Sequence, residues 1–322
     1  MQVDWKDSHG ALQNLERLQA GRADIALVQS GTHSILKPTV RFDRARFALN
    51  AYSEVTHFVV RRGAEIHSIS DLWGKNVAMG QFDSGNYAMS RLILDHFDLR
   101  PRLKPFTGTY NQAHDRFVAG ELDAALLTLG ASSQAMEKLM ATGCCELLPL
   151  PYARALSHST VLVESRTIPA ALYGAGHTAS PPQDVPTLAL RAQLLARDGL
   201  SPRLVHEAIR VFMSEGFQKA NGLGELFHGK ESFARSQPDF PAHAGALAYF
   251  ESRTLLPKTY VELAKDLREV ILSILLGLIA AVRWFMKQRE LRREHRMDRF
   301  IQAVLNIERR QRVGDEIGRA HV

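Results

Sequence analysis

Residues 270–282 (VILSILLGLIAAV) carry no charge, and a basic run follows at once with Arg283, Lys287, Arg289, Arg292, Arg293 and Arg296. An apolar helix with an aromatic at its edge (Trp284) and a positive flank reads as a membrane span whose C-terminal side is cytoplasmic. The charge-free stretch is shorter than the roughly 20 residues a span needs, but Arg283 and Lys287 can snorkel and lengthen it. The competing reading is a buried C-terminal helix of a soluble domain. Only Ser273 and Gly277 interrupt the apolar surface, whereas helices in globular cores usually keep a polar face. The expectation is therefore a transmembrane helix over 267–286, lipid contact through 267–296, and a main domain held outside the cytoplasm. Residues 287–315 form a cytoplasmic basic tail, in which Met297, Phe300, Ile301, Val304 and Leu305 make an amphipathic stripe.

Charge agrees with this division. The chain of 322 residues has a formal net charge of +6, from 40 Lys/Arg and 34 Asp/Glu. From Arg283 onward there are 11 Lys/Arg and 6 Asp/Glu, which leaves 29 and 28 for the rest. The basicity belongs to the juxtamembrane tail, where it sets topology and attracts anionic lipid. The nearly neutral main domain gives no reason to expect nucleic acid as a partner. The two cysteines are adjacent, Cys144 and Cys145, a spacing that fits neither a metal site nor a redox motif and would strain a disulfide.

The first residues, MQVDWKDSHG, lack the basic and apolar regions of an export signal. A domain whose span lies at its C-terminal end needs such a signal, so the natural N-terminus is expected upstream of Met1. The final EIGRAHV, residues 316–322, is what a common sequencing adaptor encodes in one frame, and it is excluded from fold reasoning.

Along the main domain, strand and helix patterns alternate. Leu12, Leu15 and Leu18 recur at helical spacing before the apolar run Ile25, Ala26, Leu27 and Val28, which reads as a buried parallel strand ending in Gln29, Ser30 and Gly31. Residues 56–60 and 76–79 read as further strands. After the second of these a Gly-containing loop enters a helix near Ser84, with Met89, Leu92, Ile93 and Phe97 on its buried face. GELDAALLTLG, residues 120–130, repeats the device of GRADIALVQSG, residues 21–31: a helix end, a strand, then a loop of small residues. Residues 134–140 read as a helix, 168–186 as irregular chain and 185–195 as a strand. Ser201 and Pro202 open a helix carrying Leu204, Val205, Ile209 and Phe212, 222–244 read as loop, and 245–253 as a helix.

Taken in order, NLERLQAGRADIALVQSG, AYSEVTHFVV, SISDLWGKNVAMGQFDSGNYA, GELDAALLTLG, DVPTLALRAQLL and PAHAGALAYFESRTLLP resemble the TAXI-type solute-binding proteins of TRAP transporters, over about residues 14–300. The resemblance implies an α/β, two-lobed type II periplasmic-binding fold, truncated at its N-terminus and followed by a transmembrane helix. Lobe I would comprise 1–60 with 166–255, and lobe II 61–165. The family's first strand and Gly-rich loop precede the segment where this chain starts. The implied partners are a small-molecule ligand and TRAP-type membrane subunits, with no cofactor.

In open α/β sheets ligands gather at the carboxyl ends of strands. Ser84, Gly85, Asn86 and Tyr87 stand where a helix begins, and its exposed N–H groups favour an anionic group. The resemblance points to the same loop, although the family's Gly-Ser-Gly-Thr is Asp-Ser-Gly-Asn here, and Asp83 would oppose an anion. The alternative role is an ordinary helix cap. Gln29, Ser30 and Gly31 would face the cleft from one lobe, and Thr128 and Gly130 from the other. Tyr52 would stack on a ligand, and Glu54 would hold a ligand amine or brace the hinge.

The histidines show no metal-ligand spacing, and neither a nucleophile elbow nor a phosphate-binding loop is present. His57 reads as a structural residue. The sequence thus predicts a membrane-tethered, extracytoplasmic solute-binding protein without enzymatic activity, capturing a small organic acid or amino-acid-like molecule. The alternative is a sensory ectodomain that signals through its helix and tail. An enzyme on the same fold would need a nucleophile or acid–base pair in the cleft.

Overall fold

Leu12, Leu15 and Leu18 are fully buried along α1 (Ala11–Gln19), as their spacing requires. The computed structural model describes residues 4–160, 162–174, 179–251 and 276–287. Contacts divide the chain into a unit ending at Arg253 and a second beginning at Thr254.

In the first unit α1 leads into β1 (Ile25–Gln29), α2 (Thr32–Leu36) and the long β2 (Ala45–Arg61). A parallel arrangement follows: β3 (Asn76–Ala78), α3 (Gly85–His96), β4 (Lys104–Phe106), α4 (Tyr110–Val118) and β5 (Ala124–Gly130). β3 lies between β4 and β5 and is parallel to both, the outcome expected of strands joined by helical crossovers. Next come α5 (Gln134–Ala141), β6 (Cys145–Leu148), α6 (Ala153–Ser159), β7 (Glu164–Ile168) and the second long strand, β8 (Val185–Arg197). α7 (Pro202–Phe212), α8 (Glu215–Ala220), α9 (Gly224–Arg235) and α10 (Ala244–Glu251) complete the unit.

The eight strands among the described residues form one mixed sheet, ordered β1-β8-β2-β5-β3-β4, with β6 beside β2 and β7 beside β8. β2 is what holds it together. Its first part pairs antiparallel with β8 as far as Val55, and from Glu54 it also pairs with β5. Glu54 is thus bonded on both edges, opposite Leu190 and opposite Gly130. Beyond it β6 takes the place of β8, while the start of β8 turns to β7.

Because side chains alternate across a strand, β2 feeds cores on both faces. Phe58 and Val60 pack with Val77, Met89 and Ile93, while Val55 and Val59 pack with Phe117, Leu127 and Met136. Toward the other end of β2, Leu49 joins Val205, Ile209 and Phe250, and Phe47 joins Leu12, Leu195 and Phe240. Register shifts after Phe47 and after Asn50 let one strand serve all four clusters.

Several expectations are corrected. β1 is antiparallel to β8, not a buried parallel strand. It lies on the sheet edge, and Leu27 is 41% exposed. A short apolar run reports burial and says little about the direction of its partner. The strand expected at 56–60 is the last part of β2. The stretch read as loop over 222–244 contains α9, interrupted at Lys230 by a non-helical backbone (φ 46, ψ −133). Leu204 is 42% exposed rather than on the buried face of α7, which rests on Val205, Ala208 and Ile209.

In the second unit residues 276–287 are helical, and their side chains are exposed. No helix among the described residues is long and apolar enough to cross a membrane. The remainder of the expected 267–286 span, nearly all of the 287–315 tail and the 316–322 segment lie outside the described residues.

Candidate functional site

The carboxyl end of β5 pairs with the middle of β2, and the carboxyl end of β1 lies one strand away, across β8. Gln29 and Tyr52 flank Ala192 and Glu54 is paired with Gly130, and the Gln29 side chain spans the gap to Glu54. The loop leaving β3 delivers the first turn of α3 to the same place. Gly85 is buried there, and an added Cβ would come within 2.6 Å of the Gln29 side chain. This contact joins α3 to β1 without any intervening side chain.

Glu54 is 7% exposed and is the centre of the cluster. Gln29 Nε2 donates to its Oε2 at 2.9 Å, and the Tyr52 side chain also hydrogen-bonds to it. Burial pushes the Glu54 carboxyl up to about 7, against the smaller opposing effect of these two hydrogen bonds. Burial followed by proximity to Glu54 pushes the Tyr52 phenol up, and the same two causes act on Tyr110. Tyr110 stands at the first turn of α4. It is 36% exposed as a residue, yet its hydroxyl turns inward to donate to the Thr128 carbonyl.

Asn86 is 2% exposed. Its Oδ1 accepts from Thr128 N at 2.7 Å, while its buried Nδ2 has no hydrogen-bond partner. An unmade donor at such a depth costs on the order of 1–3 kcal/mol. The Thr128 hydroxyl is 2.9 Å from that of Thr56, so it is already engaged.

Two groups of predicted residues have other work. Ser84 caps α3: its Oγ accepts from Tyr87 N at 3.1 Å and donates to Gln81 O at 2.6 Å. The Tyr87 ring packs at a tilt of 56° against Phe82, 4.9 Å between centroids. Ser30 and Gly31 belong to a latch on β8. Ser30 N donates to Arg191 O at 2.8 Å, Arg191 N donates to Ser30 Oγ at 2.9 Å, and Gly31 N donates to Asp239 Oδ2. Arg191 pairs with Glu164 and donates to Gln237 Oε1 at 2.8 Å. A cavity of about 10 Å³, the size of one water, is enclosed there.

The structure therefore brings Gln29, Tyr52, Glu54, Gly85, Asn86, Thr128 and Gly130 together. Ser84 and Tyr87 serve the helix start, and Ser30 and Gly31 serve the latch. Sequence reasoning missed Tyr110 and Arg191. Tyr110 follows Thr109, whose capping box with Gln112 fixes the start of α4, and that Thr-Tyr-Asn-Gln signal was readable. Arg191 is a lone charge in an apolar strand, itself a sign of a buried partner. His57 is fully buried between Leu127 O, 3.1 Å from its Nδ1, and the Tyr173 hydroxyl, a structural position. Among the described residues no group of three or more His, Cys, Asp or Glu could hold a metal ion. A larger surface hollow of about 490 Å³, beside Met213, Gln218, Phe227 and Lys230, includes none of the predicted residues.

Residues 1–252 match the model of the NMT1-like family, and the chain belongs to that family. Among solved structures it is similar to the alkanesulfonate-binding protein SsuA from Xanthomonas axonopodis pv. citri bound to MOPS, at 16% identity over 81% of this chain and 72% of that one, with a TM-score of 0.37. The periplasmic aliphatic sulphonate binding protein SsuA from Escherichia coli is 15% identical over 82% and 72%, TM-score 0.39. A Xanthomonas citri protein bound to ATP is 16% identical over 70% and 74%, TM-score 0.42.

Proposed function

We propose that this chain is an extracytoplasmic solute-binding protein with a type II periplasmic-binding architecture, and that it captures a small organic acid or amino-acid-like molecule at the Glu54–Asn86 cluster. The observation that carries the reading is the convergence of β1, β2, β5 and α3 on a buried carboxyl and a buried amide with an unused donor. Those are the few well-placed polar groups that a small-molecule site needs. In this reading the lobes are 1–60 with 166–255 and 61–165, and the pairing of β2 with both β8 and β5 is where they would join. Ligand affinity that differs between open and closed forms would drive closure, with no covalent step.

The finer reading adds a TRAP-type transporter as the membrane partner and a tether at residues 267–286. Its support is the TAXI resemblance and the charge-free run before Arg283. A thermal-shift and calorimetric panel of organic acids and amino acids tests the binding role. Saturable binding is the expected result, and silence across the panel contradicts it. Protease added to intact spheroplasts tests the tether: digestion of the main domain with the arginine-rich end protected is expected, and the reverse pattern overturns it.

A further inference from the structure

Buried carboxylates in folded proteins are matched by a cation or kept neutral, because an unpaired buried charge is expensive. Glu54 has no cationic partner among the described residues. The groups nearest it are neutral (Gln29 from β1, Tyr52 from β2 itself, Gly85 and Asn86 from α3, Tyr110 from α4, Thr128 and Gly130 from β5), while β8, which pairs with Glu54 at Leu190, carries Arg191 at the next position, already engaged by Glu164 and Gln237. The titratable groups that face it are two phenols, Tyr52 and Tyr110. The site thus has a buried carboxyl with no cation beside it and two tyrosines close by, one of them, Tyr52, meeting it through its hydroxyl.

The position of Gln29 shows how such a charge would be received. Its carboxamide lies against Gly85 at the start of α3, and it presents a neutral N–H to Glu54 at 2.9 Å. Gln29 is half-buried and on an edge strand. Asn86 Nδ2 is unpartnered and buried, close to Gly80 in the loop before α3.

We propose that the ligand of this site carries a cationic nitrogen, an ammonium or guanidinium, which replaces the Gln29 amide on the Glu54 carboxylate, together with a hydrogen-bond acceptor for Asn86 Nδ2. The inference rests on the solute-binding reading and narrows it, because it excludes organic acids that lack an amine. It also makes binding proton-linked. Below about pH 7 the Glu54 carboxyl is protonated in the free protein, and it passes that proton to the buffer as the ligand cation takes its place.

The test titrates the full chain by calorimetry with two sets of probes. One set contains arginine, lysine, glutamine and putrescine, and the other succinate, 2-oxoglutarate and acetate. The titrations use buffers of differing ionisation enthalpy at about pH 6. Binding of an amine-bearing probe with proton release is expected. Glu54→Gln is expected to weaken it roughly thirty-fold or more while the variant unfolds at no lower temperature than the parent. Saturable binding of the amine-free acids alone, or an amine bound equally well by the Glu54→Gln variant, overturns the inference and leaves the solute-binding reading standing. Silence from both sets overturns the solute-binding reading and the inference with it.

Discussion

Glu54 and His57 share β2 and respond to pH in opposite senses. Burial raises the Glu54 carboxyl from 4.5 to about 7, so between those values the folded chain holds a proton that the unfolded chain has released. Stability falls with rising pH across that window and is level above it, a change on the order of 3 kcal/mol. Burial lowers His57 from 6.5 to about 4, so there the unfolded chain binds the extra proton and stability falls as pH drops from 6.5 toward 4. In the native sequence the two slopes oppose one another over most of this range. Glu54→Gln removes one of them. Urea midpoints measured across a pH series should then climb with pH up to about 6.5 in the variant, and the variant should gain stability over the parent above pH 7. Coincident pH profiles for the two proteins would contradict the burial assigned to Glu54.

At the scale of elements, the turn from β3 into α3 is held by a glycine and a cap. Gly80 has φ +86, and a Cβ there would overlap the Asn86 carboxamide. Gly80→Ala should therefore cost about 1–3 kcal/mol, from backbone strain and crowding together. Ser84→Ala removes the hydroxyl that receives Tyr87 N and should cost about 1 kcal/mol. Denaturant melts check both. Equal, negligible losses would show that this turn does not depend on either feature. The start of α3 was legible in the sequence because Ser84 and the spacing of Met89 and Ile93 are local signals. α1 and α7 were legible for the same reason. The length of β2 was not, since its register shifts depend on strands far away in sequence. The direction of β1 was hidden too, because β8, its partner, comes more than a hundred residues later. α9 escaped because its break at Lys230 spoils the helical period. In the site, Gln29 and Gly130 could be seen as strand ends, whereas Glu54 lies in the middle of β2. That Ser30 and Gly31 instead bond Arg191 and Asp239 depends on residues brought in by β8 and by the chain after α9.

At the scale of the whole molecule, the proposed function depends on one strand joining several elements. Glu54 is paired on β2 with both β8 and β5, and its side chain meets Gln29 of β1, so a ligand held there would touch β1, β5 and α3 at once. Isolated binding to one element would protect one segment only. The central claim is that a solute is held where these elements converge, and hydrogen exchange read by mass spectrometry tests it directly. At a concentration of amine probe near its Kd for the full chain, amides in residues 28–31, 84–88 and 128–131 should slow together, and a Glu54→Gln chain given the same concentration should show little of that protection. Protection confined to other segments, or no change in any of these three, would contradict it.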